Sequence, residues 1–356
     1  MRKNILLAPL AALFASTAII SPAMAGEESP KEYPSPNAIV DAAPASEWVA
    51  IAPSDLLVMD LEPDAQGQPR RVIIQLMPPP FSQGWIRNIR KLAAAKFWDG
   101  TSINRVQDNY VVQWGDAGYD NPESGGIEQK ALPEGLEVVP ESAYGITTGV
   151  VVQSIFGLSS VEDVQKLMIE AQQSPSDETL NTPIVLKALG SDPYANRVSF
   201  LEGWPMGLSG AGLEETIWPV HCYGMVGVGR NLSPDTGTGA ELYTVIGHAP
   251  RHLDRNIALV GRIVEGMEHL SSLPRGKGEL GFYADPQKRV PIQSIRVASE
   301  LPADQQPKFQ YLDNASSTFA RYAGARANRR DPFFIKPAGG ADICNIPVPV
   351  RRVKAD

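Results

Sequence analysis

Between Phe97 and Asp116 the chain reads Phe-Trp-Asp-Gly-Thr-Ser-Ile-Asn-Arg-Val-Gln-Asp-Asn-Tyr-Val-Val-Gln-Trp-Gly-Asp, and this run constrains the fold more tightly than any other. Asp99-Gly100 is a turn pair followed by an apolar and β-branched run. Asp108-Asn109 is a second turn, leading into Tyr110-Val111-Val112, then Gln113, then Gly115-Asp116. Turn residues around such runs make two β segments. They carry one arginine, Arg105, and one glutamine, Gln113, among apolar neighbours. A strand arginine is ordinarily a solvated side chain, so position alone gives Arg105 no role.

The N-terminus bears on the compartment. Arg2 and Lys3 form a basic start, Ile5 to Ile20 is apolar apart from Ser16 and Thr17, and Ala23-Met24-Ala25 is a small-x-small cleavage site. That order is a secretory signal peptide over 1–25, too short and too quickly followed by a cleavage motif for a spanning helix. Cleavage after Ala25 leaves 331 residues, and loss of Arg2 and Lys3 takes the formal charge from −8 to −10. The expectation is a periplasmic, soluble protein with no membrane span after processing. An acidic exported chain is a poor candidate for binding nucleic acid. Cys222 and Cys344 are the only cysteines. In an oxidising compartment the pair reads as a disulfide, with two separately buried thiols as the alternative.

Residues 26–45 are proline-rich and polar, which predicts a flexible leader with order beginning near Trp48. Asp55 to Leu61 and Arg71 to Leu76 read as hairpin partners across a loop from Asp64 to Pro69. Trp85, Ile89 and Leu92 form an apolar stripe on a helix from about Ser82 to Ala95. Ser160-Val-Glu-Asp, followed by Val164, Leu167, Met168 and Ala171, predicts a capped amphipathic helix over 160–174. Domain boundaries follow: a domain over 46–303 interrupted by an insertion at 117–222, then an extension over 304–356.

The run from Phe97 to Asp116 resembles the core signature of cyclophilins, the prolyl isomerases. Its Arg105, Tyr110, Val111 and Gln113 fall on that family's arginine, pocket aromatic, pocket apolar residue and glutamine. A second block strengthens the resemblance. Tyr223 to Arg230 is similar to the strand ending in a glycine-containing pocket loop, Asn231 to Gly239 to that loop, and Ala240 to Ile246 to the next strand. His252-Leu253-Asp254 sits where the family has aromatic-Leu-Asp, and Ile257 to Glu268 matches the strand and helix start that follow. Val290 to Val297 fits a closing strand. The matched positions are 55–116 and 223–298.

The resemblance implies a mainly β fold, a closed antiparallel barrel with two capping helices, here carrying an α/β insertion and a C-terminal extension. It implies a peptidyl-prolyl cis-trans isomerase that needs no cofactor or metal and acts on proline-containing unfolded or exported polypeptides. Arg105 and Gln113 are then the catalytic residues, and Tyr110, Val111, Glu241, Tyr243, His252 and Leu253 bind substrate. Tyr110 and Gln113 are an odd number apart, so strict alternation separates them; a bulge or a pocket at the strand's edge is needed. The chain departs from the family at Glu241, usually glutamine, at His252, usually a rim aromatic, at Ile257, often histidine, and at Tyr110, usually phenylalanine. The alternatives are a binding module that grips proline segments without turning them over, and a scaffold working through the insertion and tail.

Three other signals are weak. Gly224-x-x-Gly227-x-Gly229 is glycine-rich but lacks a phosphate-loop lysine. Ser209 misses a nucleophile elbow because Ala211 occupies the required glycine. His248 and His252 are four apart, but Pro250 spoils the helix that zinc ligation at that spacing needs.

Overall fold

A computed structural model describes residues 33–119, 127–157 and 192–353, together with 160, 162, 163 and 189. The expected signal peptide and most of the helix expected over 160–174 lie outside the described residues. In chain order the strands are β1 (Trp48–Ala50), β2 (Leu56–Leu61), β3 (Arg70–Leu76), β4 (Ser102–Val106), β5 (Val111–Gly115), β6 (Ile146–Thr147), β7 (Arg197–Leu201) and β8 (Trp204–Ser209). They continue with β9 (Thr216–Pro219), β10 (Met225–Val228), β11 (Leu242–Val245), β12 (Leu259–Glu265), β13 (Val290–Val297), β14 (Phe309–Leu312) and β15 (Val350–Arg352).

Eight of these close an antiparallel barrel in the order β10-β11-β5-β4-β13-β2-β3-β12. Full closure leaves no unpaired edge to satisfy. The runs in β2 and β3 are apolar at nearly every position, and the structure gives the reason. Leu57, Met59, Leu61, Val72, Ile74 and Leu76 join the main core. Leu56, Val58 and Ile73 point the other way, into a second cluster with Phe309 and Ala298. A strand buried on both faces loses the polar alternation of a solvated one. The cover over that outer face is the sheet β1-β14-β15, built from Trp48–Ala50 and two strands of the C-terminal extension.

The helix Gln83–Ala94 buries Trp85, Ile86, Ile89, Leu92 and Ala93 against the main core. Arg87 and Arg90 instead pair outward with Glu137 and Asp55. The second helix of the expected pair is a single turn, Glu268–Ser271. Within the span expected as a leader, Pro36–Asp41 is helical, with the Ser35 hydroxyl accepting from Ala38 N at 3.2 Å. A serine cap followed by proline at the first helical position is a local start signal, and Ile39 and Val40 pack on the core.

Within the insertion, β6 to β9 form a sheet in the order β6-β9-β8-β7. Trp204 and Trp218 are its fully buried residues, and a side chain at Gly207 would meet the Trp218 ring at 2.6 Å. The sheet docks on the rest of the protein by specific bonds. Arg262 of β12 donates to the Gly203 carbonyl at 2.8 Å and lies over the Trp204 ring, while Phe200 packs edge-on against Phe319 of the helix Ser317–Ala327. Cys222, just before β10, is joined to Cys344 in the extension. Among the described residues no helix is long and apolar enough to cross a membrane.

The Cys222–Cys344 bridge closes a loop of 122 residues. Reducing it should lower the unfolding free energy by up to about 4–5 kcal/mol, the chain-entropy value for a loop of that length. Urea titrations with and without reductant measure the difference, and coincident curves would show that the bridge carries none of this stability.

Candidate functional site

The β4–β5 hairpin places the first functional groups. Asn109 takes a positive φ of 51° in the connecting turn, which asparagine tolerates better than most residues. The pairing register slips between Ile103 and Arg105, leaving Asn104 as an extra residue on β4 and setting Arg105 opposite Gln113. Such a bulge re-aims the side chains beside it. The buried Asn104 amide satisfies itself on the Gly115 carbonyl at 3.2 Å and the Ser102 hydroxyl at 2.6 Å. Tyr110 precedes β5 and so escapes its alternation, while Val111 and Gln113 share one face of the strand.

The Arg105 guanidinium is held on three sides. Its Nε donates to the Leu280 carbonyl at 2.7 Å, Nη1 to Gln113 Oε1 at 3.1 Å, and Nη2 to Gln107 Oε1. It also faces the rings of Tyr110 and Phe282, at 5.7 and 5.4 Å from their centroids. Burial pulls its pKa below the ordinary arginine value and Tyr110 pushes the other way.

Gln113 bridges Arg105 to Glu241, its second hydrogen-bond partner. Glu241 Oε1 accepts from Asp116 N at 2.5 Å. Gly115, at φ 148°, is needed here twice over, because a Cβ would lie 2.0 Å from that same oxygen. Burial raises the Glu241 carboxyl well above its ordinary range and the Asp116 carboxylate adds to this, against the two hydrogen bonds. The net shift favours the uncharged form of Glu241, the form that most resembles glutamine.

The apolar side of the site is Val111, Tyr243, Leu253 and Ile257, with Tyr110 and Phe282 at its edge. Together with Arg105, Gln113 and Glu241 they line a cavity of about 260 Å³. Behind it, the Tyr243 hydroxyl meets His221 Nε2 at 2.9 Å. Gly227 makes room, since a Cβ there would sit 2.3 Å from that hydroxyl.

Of the eight residues that the sequence reading assigns to catalysis or substrate binding, seven line this cavity: Arg105, Gln113, Tyr110, Val111, Glu241, Tyr243 and Leu253. His252 does not. Arg251–Leu253 is a 3-10 turn, in which positions three apart eclipse. Arg251 and Asp254 thus share the buried side and pair with each other, Leu253 faces the cavity, and His252 is left exposed. Phe282 and Leu280 are the contributors that the sequence reading lacks. They arrive from a loop far along the chain that bridges back to Arg105. Its signal is the glycine pair Gly276 and Gly281, where a Cβ on Gly276 would overlap the Gly281 carbonyl at 1.9 Å. Tyr119, Arg230 and Asn231 complete the rim.

The raised Glu241 pKa has a stability consequence. Below its ordinary value of 4.5 both folded and unfolded forms hold the proton, and the folded state suffers no penalty. As pH rises the unfolded chain releases the proton first, so stability is lost until the folded carboxyl ionises. Glu241→Gln has no proton to lose. It should therefore gain stability over the parent from weakly acidic to alkaline pH, with little difference at about pH 4. Unfolding curves across that range check it, and a pH-independent gap would count against a neutral Glu241.

A family model described as cyclophilin type peptidyl-prolyl cis-trans isomerase/CLD matches residues 84–297. The crystal structure of cyclophilin AquaCyp293 from Hirschia baltica is similar with a TM-score of 0.57 and 18% identity, over 87% of this chain and 94% of that one. A cyclophilin type peptidyl-prolyl cis-trans isomerase from Cryptosporidium parvum, crystallised in the presence of the dipeptide Ala-Pro, aligns at a TM-score of 0.33 and 10% identity, over 67% of this chain and 98% of that one. No curated protein matches. The matched span takes in more than half of the chain and every residue lining the cavity, and the chain belongs to the cyclophilin-type peptidyl-prolyl cis-trans isomerase family.

Proposed function

We propose that this protein speeds the cis–trans interconversion of X–Pro bonds in exported polypeptides, with Arg105 as the catalytic residue and Gln113 as its orienting partner. Rotation about a peptide bond faces a barrier of about 18–20 kcal/mol because of C–N resonance. The two X–Pro isomers differ by only about 0.5–1 kcal/mol, so the difficulty is kinetic. What lowers the barrier is a surface that binds the twisted amide better than either planar form.

The observation that carries this reading is the way Arg105 is held. Its three hydrogen bonds use three of the five N–H groups of a guanidinium, and one hydrogen remains on each terminal nitrogen. Those two donors sit beside an apolar socket of Val111, Tyr243, Leu253 and Ile257 that suits a proline ring. As the amide twists, its nitrogen lone pair leaves conjugation and becomes an acceptor. A fixed cation stabilises that lone pair without reorganising at the moment of rotation. Glu241, whose carboxyl is shifted toward its uncharged form, holds Gln113 with less competing negative charge near Arg105 than an ordinary glutamate would place there.

Export is supported by the basic start at Arg2 and Lys3, the apolar run after it, the Ala23-Met24-Ala25 cleavage site and the Cys222–Cys344 bridge, which suits an oxidising compartment. The clients are then unfolded proteins of that compartment, and the role is assistance of their folding.

A protease-coupled assay on an X–Pro peptide tests the proposal. The parent should turn the peptide over, and Arg105→Ala should fold normally and lose about two to three orders of magnitude in kcat/KM, as expected for one oriented electrostatic donor. Gln113→Ala should lose less in the same direction. Near-full activity in a folded Arg105→Ala protein would refute the assignment. Peptide binding without turnover by the parent would make the protein a binding module.

A further inference from the structure

Tyr243 ends a buried chain of polar groups that begins in the insertion. Its hydroxyl meets His221 Nε2 at 2.9 Å, and His221 Nδ1 meets Asp254 Oδ1 at 2.9 Å. Asp254 Oδ2 accepts from Arg251 Nε at 2.7 Å. Arg251 then forks onto Asp192 of the insertion, at 2.7 Å and 3.2 Å. The side chains of His221, Asp254, Arg251 and Asp192 are at most 4% exposed, and Tyr243 is 5% exposed.

The charges fix the direction of the bonds. Burial works to raise the Asp254 carboxyl, but its bonds to His221 and Arg251 outweigh this and hold it below its ordinary range. An anionic Asp254 oxygen can only accept, so His221 carries its proton on Nδ1. Burial keeps the imidazole neutral, opposed by Asp254, and Nε2 is left with a lone pair that accepts the Tyr243 O–H. The phenol ring is thereby pinned from behind while its face lines the cavity. Asp254 also follows directly on Leu253, so two walls of the proline socket depend on the same chain.

Taking the site above as the isomerase centre, we infer that His221 is a positioning residue for Tyr243, and that the insertion sets substrate affinity through Asp192, Arg251, Asp254 and His221. The insertion thus acts on recognition from beneath the socket. An apolar wall that holds the proline ring acts on planar and twisted forms alike, so loosening it should raise KM and spare kcat.

A double-mutant cycle on Asp192→Asn and Tyr243→Phe tests this. Asp192→Asn alone should raise KM about five- to tenfold with kcat little changed, and should add nothing once Tyr243→Phe has cut the chain at its other end. Independent, multiplicative effects of the two substitutions would overturn the inference, because general destabilisation acts equally in both backgrounds. So would an unchanged KM in Asp192→Asn. If Asp192→Asn does not fold, Arg251→Lys replaces it, keeping the charge and losing the bidentate fork. A second readout does not need turnover. The imidazole nitrogen resonances of His221 should report a proton on Nδ1, and the Nε2 signal should move in both Tyr243→Phe and Asp192→Asn. A His221 signal indifferent to Asp192→Asn would overturn the chain even in a protein with no isomerase activity. Shifted signals in an inactive protein would retain the chain and reject the isomerase reading.

Discussion

Removing a guanidinium from water is the constraint around which this site is organised. Each N–H of Arg105 that leaves solvent needs an acceptor, or the desolvation is uncompensated. Three acceptors are supplied from three places: Gln107 from its own hairpin, Gln113 from the paired strand, and the Leu280 carbonyl from a loop more than 170 residues away. Satisfying the cation therefore assembles the site. The loop that reaches Arg105 brings Phe282, and the glutamine that reaches it is held in turn by Glu241 and, through that carboxyl, by the backbone of Asp116. The bulge at Asn104 turns Arg105 toward these partners.

Much of the barrel was legible because its physics is local. The strands near 55–61 and 71–76 announced themselves through apolar, β-branched runs beside turn residues, the one at 290–297 came from the family resemblance, and the observed bounds differ by a residue at most. Arg105, Gln113, Tyr110 and Val111 lie within nine residues of one another, so one motif could carry them all. Other features depend on partners that no local pattern names. The extra residue at Asn104 has ordinary strand chemistry and is a bulge only relative to β5. His252 has the right sequence position and the wrong side of a three-residue turn. Leu280 and Phe282 are recruited by a hydrogen bond across the fold. The helix at 36–41 is a different case: Ser35-Pro36 is a start signal, outweighed in a compositional reading by the prolines and charges around it.

The two additions to the barrel are integrated differently. The insertion reaches the core through residues that include Trp204 and Phe200, and reaches the socket through Tyr119 at the rim and through the salt-bridged chain from Asp192 to His221. The extension works by area, laying Phe309, Tyr311 and Val350 over the outward faces of β2 and β3. One supplies polar direction and the other apolar cover, and the Cys222–Cys344 bridge ties the end of the insertion to the extension.

That outer cover imposes an order in time. In the sheet that shields β2 and β3, Phe309–Leu312 is the central strand, paired on one side with Trp48–Ala50 and on the other with Val350–Arg352. A chain delivered from its N-terminus presents Leu56, Val58 and Ile73 some 250 residues before their apolar partner Phe309 arrives. Until then the first hairpin has one face with nothing to bury it, and pairings between residues so far apart in sequence are the slow ones. The molecule thus has a late folding step of its own, completed only when Phe309–Leu312 and Val350–Arg352 have emerged.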